Sequence, residues 1–282
     1  MSSQVHVIGA TGRSGQALCR ALRAAGAETV PVVRNAAKWL AAGLGGAARV
    51  ADLADPAALR AALGDALHIV SCAHARHTPA ILAAAPVSAR LVLLGSTRRY
   101  TRWPDAHGNG VLAGEAALLA SGRSGVMLHP TMIYGAQGED NVQRLAGLLR
   151  RLPLVPLPGG GRSLVQPIHQ HDVTRCLRAA LEVAWDRPQA LVIAGPASLP
   201  YADFVRAVAE AAGLPPPRVV AVPAWLLRAA TPLTLLPGLP RIRGDEIRRL
   251  LEHKAFSIGP MIATLGVRPV PLHEGLALTF PR

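Results

Sequence analysis

Short apolar runs alternate with stretches of helical character along the first half of the chain. Residues 5–8, 28–33, 47–51, 67–72, 90–94 and 125–129 are runs of strand length, rich in Val, Ile, Leu and Ala. Between them, residues 16–25, 36–42, 56–63, 78–85 and 112–121 carry helix-compatible windows. Strands that alternate with helices specify a parallel sheet joined by right-handed crossovers, so the predicted class is α/β, a doubly wound parallel sheet. In such a sheet ligands bind in the crevice at the carboxyl ends of the strands. Here those ends carry Gly9 to Gly15, Arg34, Asp52, Ala73-His74, Gly95-Ser96-Thr97 and His129-Pro130.

The regularity loosens after Tyr134-Gly135. A helix is predicted over 141–151, a Pro/Gly-rich loop over 153–161, a strand over 163–168 and a helix over 172–184. A strand over 190–194 and a helix over 201–212 follow. Pro215-Pro216-Pro217 is a rigid link, and segments 245–253 and 259–265 close a smaller mixed region. The expected division is a dinucleotide-binding domain over 1–160 and a substrate lobe over 161–282, with one strand or helix of the lobe free to return to the sheet.

The first strand runs straight into Gly9, Gly12 and Gly15 and then into a helix, a Rossmann-type arrangement. Each glycine has a separate task. Gly9 turns the chain, Gly12 lets backbone approach a pyrophosphate, and Gly15 lets helix and strand pack closely. Free N–H groups of the first helical turn, around Thr11, Arg13 and Ser14, then face the phosphates. At the end of the second strand an acidic residue would accept the ribose 2′-hydroxyl, whereas arginine accommodates a 2′-phosphate. Arg34 stands there, with Lys38 one turn on and Arg13 inside the loop. The arrangement favours NADP(H), with NAD(H) as the alternative. Asp52-Leu53 ends the third strand, and Asp52 either accepts from the adenine amino group or caps the next helix.

Composition narrows the partners. The net charge of +13 would fit nucleic acid, but only Lys38 and Lys254 are lysines and the arginines are dispersed through an Ala-rich chain. That pattern is a compositional bias, and nucleic-acid binding is not expected. Cys19, Cys72 and Cys176 are odd in number and lie in apolar runs, which argues against a disulfide framework or zinc site and for a reducing cytoplasm. No uninterrupted apolar run is long enough for a membrane span. The apolar stretch 221–239 is broken by Arg228 and three prolines, and fits peripheral lipid or apolar-ligand contact instead. The implied partner is a small molecule. His74 and His77 have helical metal-ligand spacing without an evident third ligand, so no metal is expected.

Gly9-Ala10-Thr11-Gly12, Arg34, Asp52-Leu53, Ser96-Thr97, Pro130-Thr131, Tyr134-Gly135 and the stretch from Gln166-Pro167-Ile168 to Asp172-Val173 together resemble the extended and atypical short-chain dehydrogenase/reductases, of the NAD-dependent epimerase/dehydratase kind. The branch holding the nucleotide-binding accessory subunit of respiratory complex I is the nearest in feel. The resemblance covers nearly the whole chain and implies an NAD(P)-binding oxidoreductase. Active members use a Tyr-x-x-x-Lys pair, in which lysine lowers the tyrosine pKa and holds the nicotinamide ribose. This chain departs at that point: Tyr100, Tyr134 and Tyr201 are followed four residues later by Pro104, Gly138 and Val205. Counting from Gly114-Glu115 and Ser121-Gly122 puts the tyrosine slot on His107 and the lysine slot on Val111. Two substitutes are open. His107 can act as acid/base, with Ser96 or Thr97 hydrogen-bonding a carbonyl, or Tyr100 reaches the nicotinamide from the same loop. The competing expectation for His107 is a solvent-facing residue in a turn-rich segment, 105–110. A non-catalytic nucleotide-binding or redox-sensing protein is the alternative to an enzyme. Asp172 is expected to cap a helix, and His129 to be structural.

Overall fold

The structure is a computed structural model that describes residues 4–135, 141–152, 154–229, 231 and 244–281. Its centre is a parallel sheet of seven strands: β1 (Val5–Ile8), β2 (Thr29–Val33), β3 (Arg49–Val50), β4 (His68–Ser71), β5 (Arg90–Leu94), β6 (Gly125–Pro130) and a later strand, Gln189–Ile193. The spatial order is 3-2-1-4-5-6, with the late strand pairing parallel to β6 at the far edge. The connecting helices are α1 (Arg13–Ala24), α2 (Ala36–Ala41), α3 (Pro56–Leu63), α4 (Thr78–Ala84) and α5 (Ala106–Ala120). Both faces of a sheet built this way are covered, so its strands are apolar throughout. Val5, Val7, Val70, Val92, Val126 and Leu128 point into one buried cluster, and Ile8, Ile69, Leu91, Leu93 and Met127 into the other.

The second half supplies β7 (Ile133–Tyr134), α6 (Asn141–Leu149), β8 (Leu154–Pro158), β9 (Leu164–Val165), β10 (Ile168–His169), α7 (Gln170–Glu182), β11 (Gln189–Ile193, the late strand), β12 (Leu199–Pro200), α8 (Tyr201–Ala211), β13 (Arg218–Val222), α9 (Ala224–Ala229), α10 (Gly244–Arg249), α11 (Gly259–Leu265) and α12 (Leu272–Thr279). Leu177 and Ala180 of α7 and Met261 and Leu265 of α11 share the first sheet cluster. A third cluster, from Val142, Leu149, Val155, Leu157, Phe204, Val205 and Leu276, forms the core of the smaller region. None of the described helices is long and apolar enough to cross a membrane.

Several sequence expectations are corrected. Residues 154–158 form a strand, not a loop: β8 pairs parallel with β13, and its alternate residues Val155 and Leu157 are buried. Its prolines are tolerated because in a two-stranded sheet each strand is an edge strand. The predicted strand 163–168 is two short strands, β9 and β10, which pair in different sheets. The segment 105–110 is the start of α5 and not a turn. Asp105 accepts from the Gly108 N–H at 2.8 Å as its N-cap. Asp172 is not an N-cap either. His169 takes that place on α7, and Asp172 is fully buried, linking Arg175 (2.9 Å) to the Val270 N–H (2.9 Å). Asp55, not Asp52, caps α3, while Asp52 closes a local turn on the Ala54 N–H. Of the apolar stretch 221–239, residues 230 and 232–239 lie outside the described residues. The part described includes α9, with Trp225 70% exposed.

Candidate functional site

The loop after β1 is built by close contacts that a side chain would not permit. Gly9 has φ +73°, and a Cβ there would stand 3.1 Å from the Ala73 nitrogen at the end of β4. A Cβ on Gly15 would lie 2.3 Å from the Gly9 carbonyl oxygen, so α1 leaves the strand at van der Waals contact. Gly12 is exposed at the tip. It is the N-cap of α1 and offers no side chain to the helix. The opening amides of Arg13, Ser14 and Gly15 have no carbonyl one turn behind them inside the helix, and no acid occupies that turn. This end of α1 turns N–H groups that lack an intrahelical acceptor outward at the positive pole of a helix, which suits a phosphate. The Ser14 hydroxyl faces the other way, donating to Gln170 Oε1 of α7 at 3.1 Å. Thr11 contributes its carbonyl to the Gln16 side chain at 3.0 Å.

Arg34 and Lys38 are both exposed beyond β2, and neither has an ion-pair partner among the described residues. The Lys38 N–H bonds the Asn35 cap of α2 at 3.1 Å, which sets the geometry of this turn. Two cationic side chains near the carboxyl end of the strand next to the glycine loop fit a phosphate ester. Arg13 is also exposed. Leu53 packs under β1 and β2 with the second sheet cluster.

At the ends of β4 and β5 the structure unites residues that are distant in sequence. The His74 and His107 rings meet edge to face with centroids 4.3 Å apart. Glycines in α5 make this approach feasible: a Cβ on Gly110 would lie 2.9 Å from His74 Cε1, and one on Gly114 only 2.0 Å from the Ala75 carbonyl. His74 also accepts from the Arg76 N–H at 3.0 Å, capping the short turn Ala75–His77. Burial, then His107 and the nearby arginines, push the His74 pKa down to about 4. His107 is exposed on α5, as the competing expectation had it, and partial desolvation with Arg98 holds it below 6.5 against the pull of Asp105. Both rings are therefore neutral at neutral pH, able to accept a proton.

Ser96 caps the short helical turn Thr97–Tyr100, accepting from the Arg98 N–H at 3.1 Å. The buried Thr97 hydroxyl is committed to the Pro130 carbonyl at 3.1 Å, a lock between the β5 and β6 ends. Tyr100 turns toward the second half of the chain, with its ring 5.5 Å from that of Phe256 and its hydroxyl accepting from Arg99 at 3.2 Å. Val111, in the lysine slot, is 1% exposed and packs in the sheet core.

Two groupings escaped sequence reasoning: the contacts of His129, itself expected to be structural, and the arrival of Glu252 and Lys254. His129 is fully buried. Its Nδ1 accepts from the Ser96 N–H at 3.1 Å, and its Nε2 lies 2.7 Å from Glu115, which Arg99 approaches at 2.9 Å. Neither N–H points squarely along its contact with Glu115. Lys254 and Glu252 arrive from the far end of the chain to stand beside the Thr97–Tyr100 turn. The one available signal was rarity, because Lys254 is one of only two lysines.

No protein-family model and no curated protein matches the sequence. Solved structures do resemble the fold. The crystal structure of gox2253 superposes with a TM-score of 0.76 at 18% identity, over 99% of this chain and 97% of that one. The Thermus thermophilus UDP-glucose 4-epimerase complex with NAD gives 0.74 at 21% identity, covering 98% and 97%. The Escherichia coli NADPH-dependent quinone oxidoreductase complexed with NADPH gives 0.74 at 18% identity, covering 97% and 98%. These likenesses establish a Rossmann-type α/β architecture over the full chain.

Proposed function

We propose that this protein is an NADP(H)-dependent oxidoreductase of the extended short-chain dehydrogenase/reductase kind, with an epimerase-like architecture and an altered acid/base group. The observation that carries this reading is the start of α1 without a side-chain cap behind Gly9, Gly12 and Gly15, with Arg34 and Lys38 beyond the neighbouring strand and without an ion-pair partner among the described residues. The amides of Arg13 to Gly15 hold the diphosphate, and Arg34 and Lys38 take the 2′-phosphate. Asp52, Ala73, His74 and Pro130 line the path toward the nicotinamide. Neighbours of this fold crystallised with NAD and with NADPH support the cofactor class.

A bound nicotinamide supplies or receives the hydride. The chain's own residues handle the proton. His107, neutral and backed by His74, takes a proton from a substrate hydroxyl or returns one to the alkoxide. Ser96 orients the substrate oxygen and Thr97 fixes the loop that carries it, while Tyr100 closes the mouth against Phe256. The segment 1–160 supplies the cofactor half of the site and 161–282 the substrate half, in a reducing cytoplasm that the three free cysteines fit.

One observation favours a second reading, a nucleotide-binding protein without turnover, as in the complex I resemblance. Val111 puts an apolar group where a lysine would activate the acid. Mixing purified protein with NADPH and a panel of carbonyl compounds separates the two. Turnover that His107→Ala abolishes supports the enzyme, whereas tight nucleotide binding with no turnover, unaffected by His107→Ala, rejects it.

A further inference from the structure

Beside the Thr97–Tyr100 turn lies a recess of about 40 Å³ walled by that turn, by Thr101 and Arg102, and by Glu252, His253, Lys254 and Phe256. That space admits a few water-sized groups. The 252–256 segment that forms its far wall is fastened on both sides. Glu252 Oε1 accepts from the Thr101 hydroxyl at 2.6 Å and the Arg102 N–H at 2.7 Å. Phe256 exchanges two hydrogen bonds with the Gln166 side chain, and the Lys254 N–H bonds Leu164.

The acid nearest the lysine of this wall does not close on it. Lys254 Nζ stands 3.9 Å from Glu252 Oε2, too far for a hydrogen bond, while the other Glu252 oxygen serves the 101–102 backbone and hydroxyl. Burial lowers the Lys254 pKa against the pull of Glu252, with smaller contributions from Arg249 and Arg98. Both of these arginines are themselves engaged by Asp105. The Arg102 guanidinium meets no acidic partner among the described residues. A partly desolvated ammonium without a short counter-charge is costly, and an entering oxyanion offsets that cost.

We propose that this recess binds a carboxylate carried by the substrate, with Lys254 and Arg102 as the cationic contacts and the Thr97–Tyr100 turn holding the reacting end nearby. The inference rests on the oxidoreductase reading, in which this recess belongs to the substrate half of the site.

The two-lysine sequence provides the test. In protein labelled with 13Cε-lysine, only Lys38 and Lys254 give signals, and Lys254→Arg assigns them. Titration with 4-oxopentanoate should shift the Lys254 signal and leave Lys38 in place, whereas 4-oxopentanamide shifts neither. Binding of the acid should weaken about tenfold in Lys254→Met and be largely restored in Lys254→Arg. Equal response to acid and amide, no response of Lys254, or an unaffected Lys254→Met overturns the proposal. Tighter binding of 3-oxobutyl phosphate than of the carboxylate overturns the carboxylate assignment. NADPH added to the same sample should shift Lys38, so failure of the cofactor reading is seen separately from failure of the recess.

Discussion

Glu115 in the middle of α5 holds a carboxylate oxygen 2.7 Å from Nε2 of the fully buried His129 at the end of β6. Because His129 Nδ1 accepts from the Ser96 N–H, the proton of the neutral ring belongs on Nε2, facing Glu115. Burial, with the like charge of Arg99, lowers the His129 pKa to about 4. Below 6.5 the unfolded chain therefore takes up a proton that the folded ring refuses, and stability falls with pH. From about pH 7 to pH 5 the loss from this group should reach about 2 kcal/mol. Urea unfolding at the two pH values measures it, and His129→Gln should shallow the dependence by about that amount.

The contact of Gly15 with the Gly9 carbonyl sets the shape of the phosphate cradle. Gly15→Ala forces α1 off the strand, so overpacking should cost about 1–3 kcal/mol and dinucleotide affinity should drop at least tenfold. Thermal unfolding and calorimetry read the two effects. A variant with unchanged affinity would dissociate this contact from binding.

Gly114 has the corresponding role for the histidine pair, since a Cβ there would meet the Ala75 carbonyl at 2.0 Å. Gly114→Ala should push α5 away from the 75–77 turn and separate His107 from His74. Turnover is expected to fall more than NADPH affinity, as judged from kcat and a separately measured Kd.

His107 is held below 6.5 by partial desolvation and Arg98, so it is a base rather than an acid at neutral pH. Alcohol oxidation should be flat from about pH 8 down to 6.5 and decline only below that, as the ring becomes protonated. A profile whose acidic limb lies above pH 7 would assign the proton to another group.

Much of the first half was readable because each strand is an apolar run with both faces buried, and because Gly9, Gly12 and Gly15 stand at fixed offsets from it. The β8–β13 pair was hidden by prolines that ordinarily signal a loop, which an edge position allows. The start of α5 was hidden by Gly108 and Gly110, whose reason is tertiary: Arg98 and His74 press against them. The glycine loop and Arg34 were evident locally. The meetings of His74 with His107 and of Glu252 with Thr101 were not, because each joins separate segments of the chain, and that of Glu115 with His129 was not, because it depends on how α5 packs back against β6 within one crossover.

The central claim is that the uncapped start of α1 grips a diphosphate while Arg34 reads a further phosphate, and calorimetry with NADPH and NADH tests it most directly. The account predicts heat from both dinucleotides and tighter binding of NADPH. It also predicts that Arg34→Ala costs NADPH about tenfold or more and leaves NADH nearly unchanged. No heat from either dinucleotide, or an unaltered NADPH to NADH ratio in Arg34→Ala, would contradict it.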